Sequence, residues 1–181
     1  LILIASKKYN MKKQLLLLAL FMLLGAYAKS QDIYQASQLE HSGGTVYEER
    51  ITADGKLLNG IVVDYYEDGK PKSWKMIKEG LAHGLWQEWY PNGRLKFSAH
   101  WKAGYGHGRW QYFHESGALR QDEYYEKDVP VGIHLTYHNN GQLASKGHYE
   151  NGKKQGVWLQ YGPAGEITAE TAYEAGVKQE Q

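Results

Sequence analysis

A unit of 24 residues runs through the chain from Gly60 to Gly176 without insertion or deletion. Gly60, Gly84, Gly108, Gly132 and Gly156 keep this spacing, and Gly69, Gly93, Gly117, Gly141 and Gly165 follow each of them by nine positions. Between the glycines sit Tyr65, Trp89, Phe113, Tyr137 and Tyr161; after them come Leu95, Leu119, Leu143 and Ile167, then Trp101, Tyr125, Tyr149 and Tyr173. No helical spacing of apolar residues survives two glycines per unit, whereas aromatic and β-branched residues suit short strands. The expectation is an all-β fold, an extended, twisted antiparallel meander of β-hairpin repeats. Arrays of this kind bind or scaffold more often than they catalyse.

The turn chemistry follows from the residues that replace one another across units. Glu67-Asp68-Gly69, Pro91-Asn92-Gly93, Glu115-Ser116-Gly117, Asn139-Asn140-Gly141 and Pro163-Ala164-Gly165 hold Gly only in third place. A two-residue type I′ turn needs positive φ at the second and third positions, which suits neither Ser116 nor Ala164. A three-residue loop, type I turn plus G1 bulge, accepts Pro first and Gly last. That loop places Trp89 near Leu95, and simple alternation onward puts Leu85, Gln87, Trp89, Leu95, Phe97, Ala99 and Trp101 on one face, the expected core. The equivalent sets are Phe113, Leu119 and Tyr125; Ile133, Leu135, Tyr137, Leu143 and Tyr149; and Val157, Leu159, Tyr161, Ile167 and Tyr173.

The other face then carries Trp86, Trp110, His134 and Trp158, one per unit, with Tyr112 among them. Equivalent residues in successive hairpins are two strands, about 10 Å, apart, so Trp86 and Trp110 cannot stack directly but could flank one ring. The array amounts to roughly ten or eleven strands about 50 Å wide. Residues 54–178 form the array and 179–181 a polar tail. Residues 29–53 read as a linker and amino-terminal cap, with a strand expected over Thr45–Thr52 to shield the sheet edge.

Ahead of them stands Met11-Lys12-Lys13, an apolar run from Leu15 to Leu24 and Ala26-Tyr27-Ala28. A basic start, a short apolar centre and small residues before a cut read as a signal peptide over residues 11–28, with residues 1–10 an upstream extension of the reading frame. The expected location is periplasmic, cell-surface or extracellular. The sequence has no cysteine, which removes disulfides, thiolate metal sites and a cysteine nucleophile. With 21 basic and 20 acidic residues the net charge is +1, a poor match for nucleic acid.

No catalytic constellation stands out. His134 and His138, four apart in a strand, are about 13 Å apart, too far to share one ion. Glu88, Asp122, Glu123, Glu126 and Glu150 are scattered over the units and read as solvated surface. Every glycine is accounted for by a turn, leaving none for a phosphate loop. The chain is expected to be no enzyme and to need no metal or cofactor.

The run Asn151-Gly152-Lys153-Lys154-Gln155-Gly156-Val157-Trp158, leading to Tyr161 and Gly165, resembles the MORN-variant repeats of bacterial proteins in the YwqK-type antitoxin family. Ala103-Gly104-Tyr105-Gly106-His107-Gly108-Arg109-Trp110 and Glu79-Gly80-Leu81-Ala82-His83-Gly84-Leu85-Trp86 repeat the motif, and the likeness covers about Asp54 to Lys178. The chain departs from it at Asp128 (for Gly), at Val62 and His134 (for Trp) and at Pro71 (for Leu). The resemblance implies hairpin arrays used for protein contacts, or for membrane association in eukaryotic relatives, and implies no active site. The functional expectation is an exported, non-catalytic scaffold that binds a protein through Trp86, Trp110, Tyr112, His134 and Trp158. Alternatives are an antitoxin or immunity protein, a cell-surface glycan-binding module and a peripheral membrane-binding protein.

Overall fold

The computed structural model describes residues 32–36, 39–42, 50–53 and 55–180. The signal peptide, the upstream extension and the first half of the expected cap strand lie outside the described residues. Backbone contacts divide the chain into two compact units, Leu1–Asp32 and Ile33–Gln181, and the repeats belong to the second. No α-helix occurs among the described residues.

Ten strands make the meander: β5 (Gly60–Tyr65), β6 (Pro71–Lys78), β7 (Leu81–Trp89), β8 (Leu95–Lys102), β9 (Tyr105–Phe113), β10 (Leu119–Glu126), β11 (Val129–Tyr137), β12 (Leu143–Glu150), β13 (Lys153–Tyr161) and β14 (Ile167–Glu174). They pair in sequential order, with β1 (Asp32–Gln35) beside β5 and the short β15 (Val177–Lys178) beside β14. A separate three-stranded sheet joins β2 (Glu40–Ser42), β3 (Arg50–Ala53) and β4 (Lys56–Leu57).

Two kinds of turn alternate. At one end of the strands the loop has three residues, as the Pro and Gly positions require: Gly93 N–H donates to Tyr90 O at 2.8 Å, Tyr90 N–H to Arg94 O at 2.8 Å, and Gly93 has φ 83°. At the other end, two-residue turns join Lys102 to Tyr105 and Glu126 to Val129. Both turn residues are left-handed, as in Ala103 (φ 52°) and Gly104 (φ 86°), the signature of type I′. Asp128 takes the glycine place with φ 64°. Its backbone N–H donates to Gly106 O at 3.0 Å and its carboxylate accepts from Gly106 N–H, so side chain and backbone together hold a conformation that L-residues resist.

The core is asymmetric along the sheet. Leu58, Val62 and Ile77 form a buried cluster, packed by Tyr34, Ala36, Leu39, Ile51 and Ala53, which lie in and around β1 and β3. Ile61, Val63 and Trp74 are buried at the same end, and of the described apolar side chains beyond it Ala99 alone is buried. The face expected to be core is half-buried at Leu135, Leu143 and Leu159, and open at Ile133 (52% exposed), Val157 (51%) and Ile167 (58%).

A second bulge in every hairpin corrects the expected faces. Trp89 pairs with Leu95 as the three-residue loop requires, but Glu88 pairs with Phe97, leaving Lys96 unopposed. Arg120, Ala144 and Thr168 are passed over in the same way, as is Lys72 in the first hairpin. One extra residue reverses the side of everything after it. Phe97, Ala99 and Trp101 therefore leave the side of Trp89 and join Trp86, and Tyr125, Tyr149 and Tyr173 move likewise to the side of Trp110, His134 and Trp158. The two sides are called below the tryptophan face and the leucine face.

Candidate functional site: an aromatic ladder on the tryptophan face

Both aromatic series end on one face because β7, β9, β11 and β13 alternate with strands that carry the Trp101 series. Ala99 pairs with Trp86 on one side and Trp110 on the other, which brings Trp101 between the two indoles. Ring centroids are 5.2 Å apart for Trp86–Trp101, 5.0 Å for Trp101–Trp110 and 4.7 Å for Trp110–Tyr125. Trp86 and Trp110 thus do flank a ring, but it belongs to this chain. Phe97 packs edge-on against Trp110 at 5.5 Å and lies 4.8 Å from Tyr112. Further along, His134 lies 5.5 Å from Trp158, Tyr149 5.1 Å from Trp158 and Trp158 6.2 Å from Tyr173. All five sequence-nominated residues, Trp86, Trp110, Tyr112, His134 and Trp158, share this face, and all are half-buried by their neighbours.

Cations bracket the ladder. The Lys75 ammonium lies 4.0 Å from the Trp86 ring and the Lys154 ammonium 4.2 Å from that of Trp158. The bulge residues lean to the same side: Lys72 pairs with Asp64 at 2.8 Å, Lys96 with Glu88 at 3.3 Å, and the Arg120 guanidinium sits 5.5 Å from the Tyr112 ring. All three basic side chains are exposed, forming a column beside the rings.

Small residues make the indoles fit. The side chain of Trp158 lies over Gly147, where any Cβ would collide with the ring, and a Cβ on Gly106 would come within 2.6 Å of Trp110. Ala99 is fully buried at the same register position as Gly147. In the unit between them that position is Glu123, 5% exposed, and the ring facing it is His134 rather than Trp. His134 Nδ1 lies 3.1 Å from Glu123 Oε2, and Tyr125 donates its hydroxyl to Oε1 at 2.9 Å. Burial alone would raise the Glu123 carboxyl, but hydrogen bonds from His134, Gln121 and Tyr125 outweigh it and hold the group below its usual value. Burial, together with the Glu123 charge, pushes the Tyr112, Tyr125 and Tyr149 phenols up. The scatter of the acids over the units implies solvated surface for Asp122 and Glu123, but both are buried, Glu123 as an internal anchor against His134 and Asp122 against Arg109.

A second interaction series escaped the sequence reading. Tyr66 and Tyr90 donate their hydroxyls to the carbonyls of Trp89 and Phe113, at 2.7 and 2.9 Å. His114 and His138 reach Tyr137 O and Tyr161 O at 3.2 and 2.8 Å through Nε2. A carbonyl only accepts, so Nε2 carries the proton in both rings. Each side chain ties one hairpin loop to the next unit, 23 residues on. The signal was present as Tyr or His at 24-residue spacing, but register alone did not show its target. On the leucine face Arg109 binds Asp122 in a two-point ion pair, with Nε to Oδ1 at 2.8 Å and Nη2 to Oδ2 at 2.6 Å. No three His, Asp or Glu side chains among the described residues come together as a metal site.

Residues 58–73, 82–103, 106–127 and 130–151 match the family model described as the MORN repeat variant. The segment from 58 to 151 belongs to that family. No curated protein gives a significant match to the chain. The MORN-variant geometry continues past the matched stretches: Gly156 pairs with Tyr173 and Tyr161 with Ile167, as Gly132 pairs with Tyr149 and Tyr137 with Leu143. The fifth unit ends the series chemically. Gly162 stands where Tyr66, Tyr90, His114 and His138 reach forward, and the carboxylate of its own Glu166 occupies the place a Cβ would take. MORN-variant repeats are binding modules, which fits a scaffold.

Proposed function

We propose that the protein is an exported, non-catalytic scaffold that captures a protein partner on its tryptophan face. The aromatic ladder carries this reading: Trp, Tyr and Arg dominate binding energy at protein interfaces, and here the rings are already held by one another and by cation contacts before any partner arrives. Prior fixation lowers the entropy cost of binding. The exposed Lys72, Lys96 and Arg120 column gives the ladder a basic flank, suited to an acidic rim on the partner. Export rests on the basic, apolar and small-residue pattern of residues 11–28. A toxin domain is one such partner, and its capture would make the scaffold an antitoxin.

The test is affinity capture from the native cell envelope with the protein as bait, run beside the K96E/R120E variant. These two side chains are exposed, so the fold is retained while the flank reverses sign. A partner retained by the parent and lost with the variant supports the proposal. Equal capture by both, or binding only to glycan arrays or liposomes, refutes it.

A further inference from the structure

On the leucine face of the last repeat strands Val157 and Ile167 are exposed, and Lys146 and Glu170 stand on either side of β13. Lys146 pairs with Leu159, and Leu159 pairs with Glu170, so the three form one row across β12, β13 and β14. Lys146 and Glu170 are both exposed, and neither forms an ion pair among the described residues. Apolar pairs flank this row on either side, Val157 with Ala172 and Tyr161 with Ile167. A sheet with one apolar face is stable when that face is covered.

We propose that a second copy of this chain covers it, face to face, about a two-fold axis parallel to β13. Such an axis carries β12 of one copy over β14 of the other and leaves β13 over itself. Lys146 then faces Glu170 of the second copy, and the same pair forms again by symmetry, as an isologous interface requires. Leu159, Val157 and Tyr161 of β13 meet their own counterparts. Lys146 and Glu170 lie two strands, about 10 Å, apart within a copy, and facing sheets pack about 10 Å apart, a gap that two long side chains bridge. Addition at the sheet edge is disfavoured, because Gly162 has no side chain with which to clamp a further hairpin. The dimer leaves both tryptophan faces outward, so it stands or falls independently of the proposed partner capture.

Analytical ultracentrifugation of the full chain tests this with a charge swap. The parent is expected to dimerise, and K146E and E170K are each expected to self-associate about tenfold or more weakly, since each places like charges opposite one another twice. An equimolar mixture of the two variants restores opposite charges at both contacts and is expected to dimerise again, as is K146E/E170K. Circular dichroism establishes that the variants are folded. A monomeric parent overturns the proposal. So does a dimer that both single variants leave unchanged, or a mixture that fails to recover.

Discussion

The Glu123 carboxylate meets the His134 ring at 3.1 Å in the one unit where the aromatic ladder gives way to hydrogen bonds. The same register holds Ala99 and Gly147 in the units on either side, small enough for an indole to cover. A buried acid in that place needs a partner, and the facing Trp is replaced by a His that supplies one.

That pair predicts a pH dependence. The folded-state value of Glu123 is below its ordinary 4.5, so its contribution is complete above that value and is lost as pH falls through the lower folded-state value. Urea unfolding of the parent at a series of pH values should show this acid loss, and E123Q should flatten it. At neutral pH, E123A should cost about 1–3 kcal/mol by leaving His134 and Tyr125 without their acceptor.

Trp110 separates a structural role from a binding one. Read as a solvent-facing residue, its loss would leave stability nearly unchanged. Its ring lies within 5.5 Å of Phe97, Trp101 and Tyr125, and Nε1 donates to His100 O at 3.2 Å. Trp110→Ala should therefore lower stability by about 2–4 kcal/mol, towards the range for buried aromatic truncations. Thermal and chemical melts give the value directly.

Two glycine substitutions should fail for different reasons. Gly147→Ala collides with the Trp158 indole, should cost about 1–3 kcal/mol and should alter the near-ultraviolet dichroism of the aromatic ladder. Gly141→Ala meets nothing within 4 Å, but the position has φ 84°. It should cost about 1–2 kcal/mol of backbone strain and leave the aromatic signal intact.

The clamps predict local effects. Tyr90→Phe removes the bond to Phe113 O and should cost about 1 kcal/mol. Hydrogen exchange should quicken in the Pro91–Gly93 loop more than in the strands.

The period, the strand order and the three-residue loops were legible because glycine and proline have few acceptable places in a hairpin. The faces were legible only as far as Leu95. Nothing in the residue types of Lys96, Arg120, Ala144 or Thr168 marks a bulge; what they share is position, and a bulge is set by strand twist and pairing more than by side chain. That single missed residue per hairpin sent Phe97 and Trp101 to the wrong side. Trp86, Trp110, Tyr112, His134 and Trp158 share one face, as alternation implies, but the rings filling the gaps between them come from strands whose faces the bulge reverses.

The account stands on the two aromatic series sharing one face, and proton-proton contacts between rings in solution test that most directly. Nuclear Overhauser effects from the Trp101 indole should reach the rings of both Trp86 and Trp110. Contacts from Trp101 to Trp89 and Leu95 instead would contradict the second bulge, and the tryptophan face with it.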